Sequence, residues 1–316
     1  MRIAVLDDYQ NVALASADWS RLPADAEVTV FDRHIADTDE LVTALAPYDV
    51  LVLMRERTPF PAARFARLPK LRLLVTTGMR NASVDLAAAS EAGITVCGTG
   101  GVDSATAEHA WALILSLARH VPAEDARIRA GGWQHTVGLG LEGRTLGILG
   151  VGRLGRPVAR IGVAFGMEVL AWSRHLEPDR AREVGATAVG KEELFRRSDI
   201  VTVHYKLGER SVGLVGATEL GWMKPTAYLV NTSRAPIVDT EALLAALREG
   251  RLAGAALDVY DVEPLPADHP LRSAPRTVLT PHVGYVTDSE YQVFYGDAVE
   301  DVVAFAAGAP VRVLND

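Results

Sequence analysis

Arg234, Glu263 and His282 have side chains suited to a single reaction, and each stands at or near the end of a strand-like run. AYLVNTS (227–233) runs directly into Arg234, AGAALDVY (253–260) precedes Glu263, and TVLTPH (277–282) ends on His282. Parallel strands present their carboxyl ends to a common crevice, so residues distant in sequence can converge there. The planar fork of Arg234 suits a 2-oxo acid: two N–H groups bind its carboxylate, and another points at the neighbouring carbonyl, where hydride addition builds negative charge. His282 could deliver the proton that completes such a reduction, or accept it in reverse. Glu263 beside the imidazole would favour its cation and fix its orientation. Plainer readings stand beside these: a surface or helix-capping arginine, a glutamate in a polar turn before Pro264, and a packing histidine after Pro281. His109, in an Ala- and Leu-rich segment, reads as structural, and His204 at a strand end is ambiguous.

A hydride needs a carrier, and GVGRLG at 150–155 supplies a place for one. It follows the apolar run TLGILG and precedes PVARIGVAF, the strand–turn–helix setting of a dinucleotide site. Gly150 makes the tight turn, Gly152 lets the backbone approach a pyrophosphate, and Gly155 lets the helix pack closely. Arg153 and Leu154 lie at the helix entrance, whose N–H groups and dipole attract phosphate. The alternative is a glycine-rich structural turn. The next strand run, EVLAW, is followed by Ser173 and Arg174, where an acidic residue would bind the ribose hydroxyls of NAD. A hydroxyl and a cation suit a 2'-phosphate better, so NAD(P)(H) is expected with NADP(H) modestly favoured; a solvated arginine is the competing reading. Thr232, just before Arg234, falls on the same cofactor side.

These residues need two layers to position them. Strand-like runs at 2–7, 28–31, 49–54, 71–76 and 94–96 alternate with helix candidates at 39–46, 61–67 and 83–92, predicting a small α/β layer. A helix over 104–120 leads to six further strand runs between 145 and 282, enough for a nucleotide-binding sheet within 103–283, and a helix candidate at 287–307 can return the chain to the first layer. With 32 Lys+Arg against 40 Asp+Glu, the formal charge is -8 and no basic run tracks a phosphate backbone, so nucleic acid is not an expected partner. A single cysteine, Cys97, excludes an internal disulfide and any cysteine cluster for zinc, and no metal site is expected. The start MRIAVLDDYQ lacks a signal-peptide pattern, and no apolar run is long enough to span a bilayer; a cytoplasmic protein without a membrane partner is the expectation.

The ordered set GVGRLG, MKPTAYLVNTSRAPIVD (223–239), GAALDVYDVEPLP (254–266) and TPHVG (280–284) resembles the D-isomer-specific 2-hydroxyacid dehydrogenase family, which includes glyoxylate/hydroxypyruvate reductases and phosphoglycerate dehydrogenases. The resemblance runs through nearly the whole chain. It implies a two-domain α/β fold, with a Rossmann cofactor domain at 103–283 and a smaller flavodoxin-like substrate domain formed by 1–102 and 284–316. It also implies that Arg234 orients substrate, Glu263 is the acidic partner and His282 the acid/base. Asp258 then falls near the nicotinamide carboxamide, and Thr77, Gly78, Met79 and Arg80 match the loop whose N–H groups hold the substrate carboxylate across a closing cleft. A homodimer built near the helix at 104–120, a small 2-oxo/2-hydroxy acid substrate and no appended regulatory domain are further implications.

The chain departs from the family pattern in places. Ala235 replaces a glycine, which would be strained if the backbone were left-handed. Lys206 stands where proline is common, and Tyr285 where a small residue is common. Pro281 replaces the glutamine of formate dehydrogenases and argues against formate oxidation. The alternatives to a dehydrogenase of 2-hydroxy acids are a catalytically silent nucleotide-sensing interaction protein, or a dehydrogenase for another small anion such as phosphite.

Overall fold

A computed structural model describes residues 1–315. The chain divides into two compact units, Met1–Val102 with Val286 onward, and Asp103–Tyr285.

The first unit holds five parallel strands: β1 (Arg2–Val5), β2 (Glu27–Val30), β3 (Val50–Leu53), β4 (Leu73–Thr76) and β5 (Thr95–Gly98). Their order is β2-β1-β3-β4-β5, the flavodoxin-like doubly wound arrangement. β3 and β4 are buried along their whole length, as expected of parallel strands covered on both faces. The helix Asp288–Ala306 begins at Thr287, whose hydroxyl accepts the Glu290 N–H at 3.2 Å, and packs on β4. Beyond it, Val313 bridges Cys97 in antiparallel fashion at the β5 edge.

The second unit carries β6 (Thr145–Leu149), β7 (Glu168–Trp172), β8 (Thr187–Ala188), β9 (Ile200–Val203), β10 (Tyr228–Asn231), β11 (Gly254–Leu257) and β12 (Thr277–Leu279). The seven-stranded parallel sheet runs β12-β11-β10-β9-β6-β7-β8. Successive residues feed opposite faces: Leu229 and Leu257 pack with the helices Lys191–Arg197, Ala217–Trp222 and Thr240–Arg248, while Val230 and Ala256 pack with Ala105–Ala118 and Gly155–Ala164. From β6 the chain winds one way to β7 and the other way to β9. Their carboxyl ends are therefore the switch point where ligands bind in such sheets.

Two sequence expectations change. The sheet has a seventh strand, β8, too short to show a pattern of its own. The helix expected over 104–120 ends at Ala118; His120 turns left-handed (φ +53°), and a second helix, Val121–Arg129, starts there with Pro122 in its first turn. No helix among the described residues is long and apolar enough to cross a membrane.

Candidate active site

Arg234, Glu263 and His282 leave the carboxyl ends of three adjacent strands. Asn231 at the end of β10 pairs with Leu257 of β11, which pairs with Leu279 of β12. The ladder continues one step past the strands, with Asp258 N–H to Asn231 O and Thr280 N–H to Leu257 O, each 3.0 Å. With neighbouring strands about 4.8 Å apart, the exits of Arg234 and His282 stand roughly 10 Å apart, within reach of one small ligand.

Each side chain is held from behind. The buried Asn231 accepts the Ser233 N–H (3.0 Å) and donates to Arg234 O (3.1 Å), a closed Asx turn that aims residue 234. The half-buried Arg234 guanidinium donates to Ser233 O at 2.8 Å. Ala235 opens a 3-10 turn, Ala235–Ile237, and is not among the left-handed residues, so its methyl is accommodated without the strain a positive φ would bring. Glu263 lies in the loop after β11, and its Oε1 accepts the Tyr260 N–H at 2.9 Å. Its Oε2 lies 2.6 Å from His282 Nδ1. An ionised carboxylate can only accept, so Nδ1 carries the proton and Nε2 is left as the nitrogen that can give or take one. The imidazole and the Tyr285 ring stand T-shaped to one another with centroids 5.5 Å apart, and Tyr285 is itself buried, walling one side of His282.

The nucleotide turn can be tested for fit by what side chains would meet there. At Gly150 (φ +94°) a Cβ would lie 2.7 Å from His204 O, and at Gly155 it would strike the carbonyl oxygen of Gly150. At Gly152 it would meet no heavy atom within 4 Å. The first and third glycines therefore close the turn, and the second leaves an open face at the start of the helix Gly155–Ala164, room for a phosphate. Thr232 agrees with this fit: it is 5% exposed, yet its buried Oγ1 has no hydrogen-bond partner among the described residues, which leaves it able to bond a bound nucleotide. Leu154 caps the helix, and Arg153 is exposed and paired with Asp103 at 2.9 Å. Ser173 and the exposed Arg174 line a cavity of about 560 Å³ together with Trp172, Glu177 and Glu193. Burial pushes the His204 pKa down to about 4; it bonds Thr202 at 2.9 Å and is a neutral packing residue beside the turn. Lys206 is exposed.

Asp258 faces inward. It is 1% exposed, and its carboxylate accepts from the Thr280 hydroxyl and from the N–H groups of Val283 and Gly284. In the first unit, two of the four N–H groups expected to hold a carboxylate are committed internally: Thr77 N–H goes to Leu53 O and Gly78 N–H to the Thr99 hydroxyl. The donors on that loop narrow to Met79 and Arg80, both exposed. Among the described residues no group of three or more His, Cys, Asp or Glu side chains could hold a metal. Sequence reasoning missed Tyr260 and Thr280; their contributions are a backbone N–H and a hydroxyl, and neither leaves a pattern.

The chain is similar to proteins of one known family. Residues 111–284 match the model of the D-isomer specific 2-hydroxyacid dehydrogenase NAD-binding domain. The chain is 43% identical over 261 residues to a glyoxylate reductase of Aeropyrum pernix, covering 79% of this chain and 78% of that one. It is 30% identical to a hydroxypyruvate reductase of Blautia hydrogenotrophica, over the full length of both. The crystal structure of a phosphoglycerate oxidoreductase from Vibrio cholerae superposes with a TM-score of 0.93 at 38% identity, covering 98% of this chain and 100% of that one. With its glycine turn at the switch point and Arg234, Glu263 and His282 on adjacent strand ends, the chain belongs to the D-isomer-specific 2-hydroxyacid dehydrogenases, NAD-dependent oxidoreductases that interconvert 2-oxo and 2-hydroxy acids.

Proposed function

We propose that this enzyme reduces a small 2-oxo acid, in the class of glyoxylate or hydroxypyruvate, reversibly to the D-2-hydroxy acid. The observation that carries the reading is the Glu263–His282 pair, 2.6 Å apart, on the strand end two places from Arg234. Arg234 binds the substrate carboxylate and turns a further N–H to the C2 carbonyl oxygen, stabilising the charge that develops there. The dihydronicotinamide, when bound, supplies the hydride that adds to C2. His282 gives its Nε2 proton to the same oxygen, and Glu263 stabilises the imidazolium beforehand and keeps its proton on Nδ1. In the oxidative direction Nε2 takes the hydroxyl proton back. Met79 and Arg80 are assigned the remaining carboxylate contacts on the family pattern, and Tyr285 limits substrate bulk beside the imidazole. A silent nucleotide sensor has no need of the Glu263–His282 pair.

Gly150, Gly152, Gly155 and Thr232 are the proposed cofactor contacts, with Ser173 and Arg174 at the adenosine end. NADP(H) is modestly favoured: Arg174 offers a 2'-phosphate a charged fork, while Glu177 and Glu193 in the same space oppose it. A homodimer is supported by exposed Val121, Ile128, Trp133 and Val137, which follow the long helix and present apolar surface. The test is initial-rate turnover of a panel of 2-oxo acids with NADH and with NADPH. At least one acid is expected to be reduced, and Arg234→Ala is expected to lower kcat/KM by about a hundredfold or more, the loss of two charge-assisted bonds. Equal turnover by Arg234→Ala and the parent enzyme would remove the proposed role.

A further inference from the structure

We propose that His109 is a positioning residue for proton transfer, acting through Thr280 and Asp258 on the backbone segment that carries His282. The proposal rests on the assignment of His282 as the acid/base.

A carboxylate as deeply buried as Asp258 must be fully bonded. Its Oδ1 accepts from the Thr280 hydroxyl at 2.6 Å and the Val283 N–H at 2.9 Å, and its Oδ2 accepts from the Gly284 N–H at 2.8 Å. His109 Nε2 lies 3.0 Å from Thr280 Oγ1 and 3.3 Å from Asp258 Oδ1. The protons on this chain can be assigned by counting. Thr280 has one hydroxyl proton, and at 2.6 Å from an acceptor-only group that proton goes to Asp258. Toward His109, Thr280 can therefore only accept, so Nε2 of His109 carries a proton. Donation runs one way, from His109 to Thr280 to Asp258, while the N–H groups of residues 283 and 284 converge on the same carboxylate. Burial pushes the Asp258 carboxyl up, but the bonds from His109, Thr280 and Val283 outweigh it and hold the group below its usual range.

The two backbone donors immediately follow His282. His282 itself is left-handed, with φ +54°, a conformation disfavoured for a residue with a side chain. Two charge-assisted bonds on the next two N–H groups hold it there. Gly284 shows how close the fit is: a Cβ would lie 3.0 Å from Asp258 Oδ2, 3.6 Å from Thr106 and 3.8 Å from the His109 ring. His109 and Thr106, from the helix Ala105–Ala118, thus back the turn that presents the imidazole. Glu263 aims the ring; His109 and Asp258 fix the backbone beneath it. The family resemblance gives Asp258 a contact with the nicotinamide carboxamide, and the two roles separate by experiment.

His109→Leu removes the donor, and His109→Gln places an amide N–H near the position of Nε2. With the best acid of the panel, kcat of His109→Leu is expected to fall about tenfold or more through misplacement of His282, with His109→Gln recovering most of it. Cofactor affinity, read by NAD(P)H fluorescence titration, is expected to stay at the parent value in both variants. Parent kcat in His109→Leu, an equal loss in both variants, or a loss of cofactor affinity with kcat retained would each overturn the proposal. A second readout needs no activity: long-range ¹⁵N–¹H spectra of the parent enzyme should show His109 protonated on Nε2, and a neutral ring protonated only on Nδ1 overturns the network even if a variant does not fold. If the parent enzyme turns over no acid while His109 shows the expected Nε2 proton, the functional reading fails and the network stands.

Discussion

Gly152→Ala separates fold from cofactor binding at the nucleotide turn. Gly152 is outside the left-handed region, and its added methyl meets no heavy atom within 4 Å, so stability should change by no more than about 0.5 kcal/mol. The other two glycines cannot serve. Alanine at Gly150 (φ +94°) would meet His204 O at 2.7 Å and Tyr205 Cα at 3.1 Å, and alanine at Gly155 would press on the Gly150 carbonyl. Those variants confound folding with binding. At 152 the methyl occupies the open face to which a pyrophosphate must come close, and it should break one charge-assisted hydrogen bond worth about 1.5–3 kcal/mol. At 1.4 kcal/mol per factor of ten, this weakens NAD(P)H binding by about ten- to a hundredfold. Fluorescence titration gives the affinity, and a thermal melt checks the fold. A variant that melts with the parent and binds NAD(P)H equally well would refute the placement of the pyrophosphate on this turn.

Two further outcomes follow from the same geometry. Glu263→Gln leaves one acceptor oxygen for two donors, Tyr260 N–H and His282 Nδ1–H; kcat should fall on the order of a hundredfold, and unchanged initial rates would detach Glu263 from the imidazole. Asp258→Asn should destabilise by about 1–3 kcal/mol for each backbone donor left unpaired, measured by urea unfolding. The pH dependence has a definite sign: the folded pKa of Asp258 lies below the ordinary 3.8, so the carboxylate's contribution is present above that value and lost as pH falls through the folded pKa. The gap between parent and variant should therefore be widest at neutral pH and close in acid; a gap that widens on acidification contradicts the assignment.

The strands of both sheets were legible because parallel strands covered on two faces read as short unbroken apolar runs, as in VLVL at 50–53 and YLVN at 228–231. β8 escaped because two residues, Thr187 and Ala188, carry no period and are held by β7 rather than by their own composition. The break at 118–121 was hidden for a different reason. The helix beyond it, Val121–Arg129, buries no residue and so carries no apolar pattern, and the left-handed turn falls on His120, a residue that does not announce one.

The proposed reacting groups could be singled out from the sequence because the chemistry admits few residue types: a forked cation for a carboxylate, an imidazole for a proton, glycines where backbone must approach phosphate. What holds them was not. Asn231 reaches backbone on both sides of its own turn, Tyr260 offers an N–H, and Asp258 gathers the N–H groups of residues 283 and 284. A backbone donor is present at nearly every position of every sequence, so its use cannot be read from residue types. Such a contact marks the sequence only indirectly, by what it excludes. Gly284 is that mark here: any side chain would enter the space between Asp258 and His109. The glycine two residues after His282 thus sits in tight contact with the carboxylate behind the turn, and in our proposal the acid/base nitrogen is tied through that carboxylate to a helix more than 160 residues earlier in the chain, at His109.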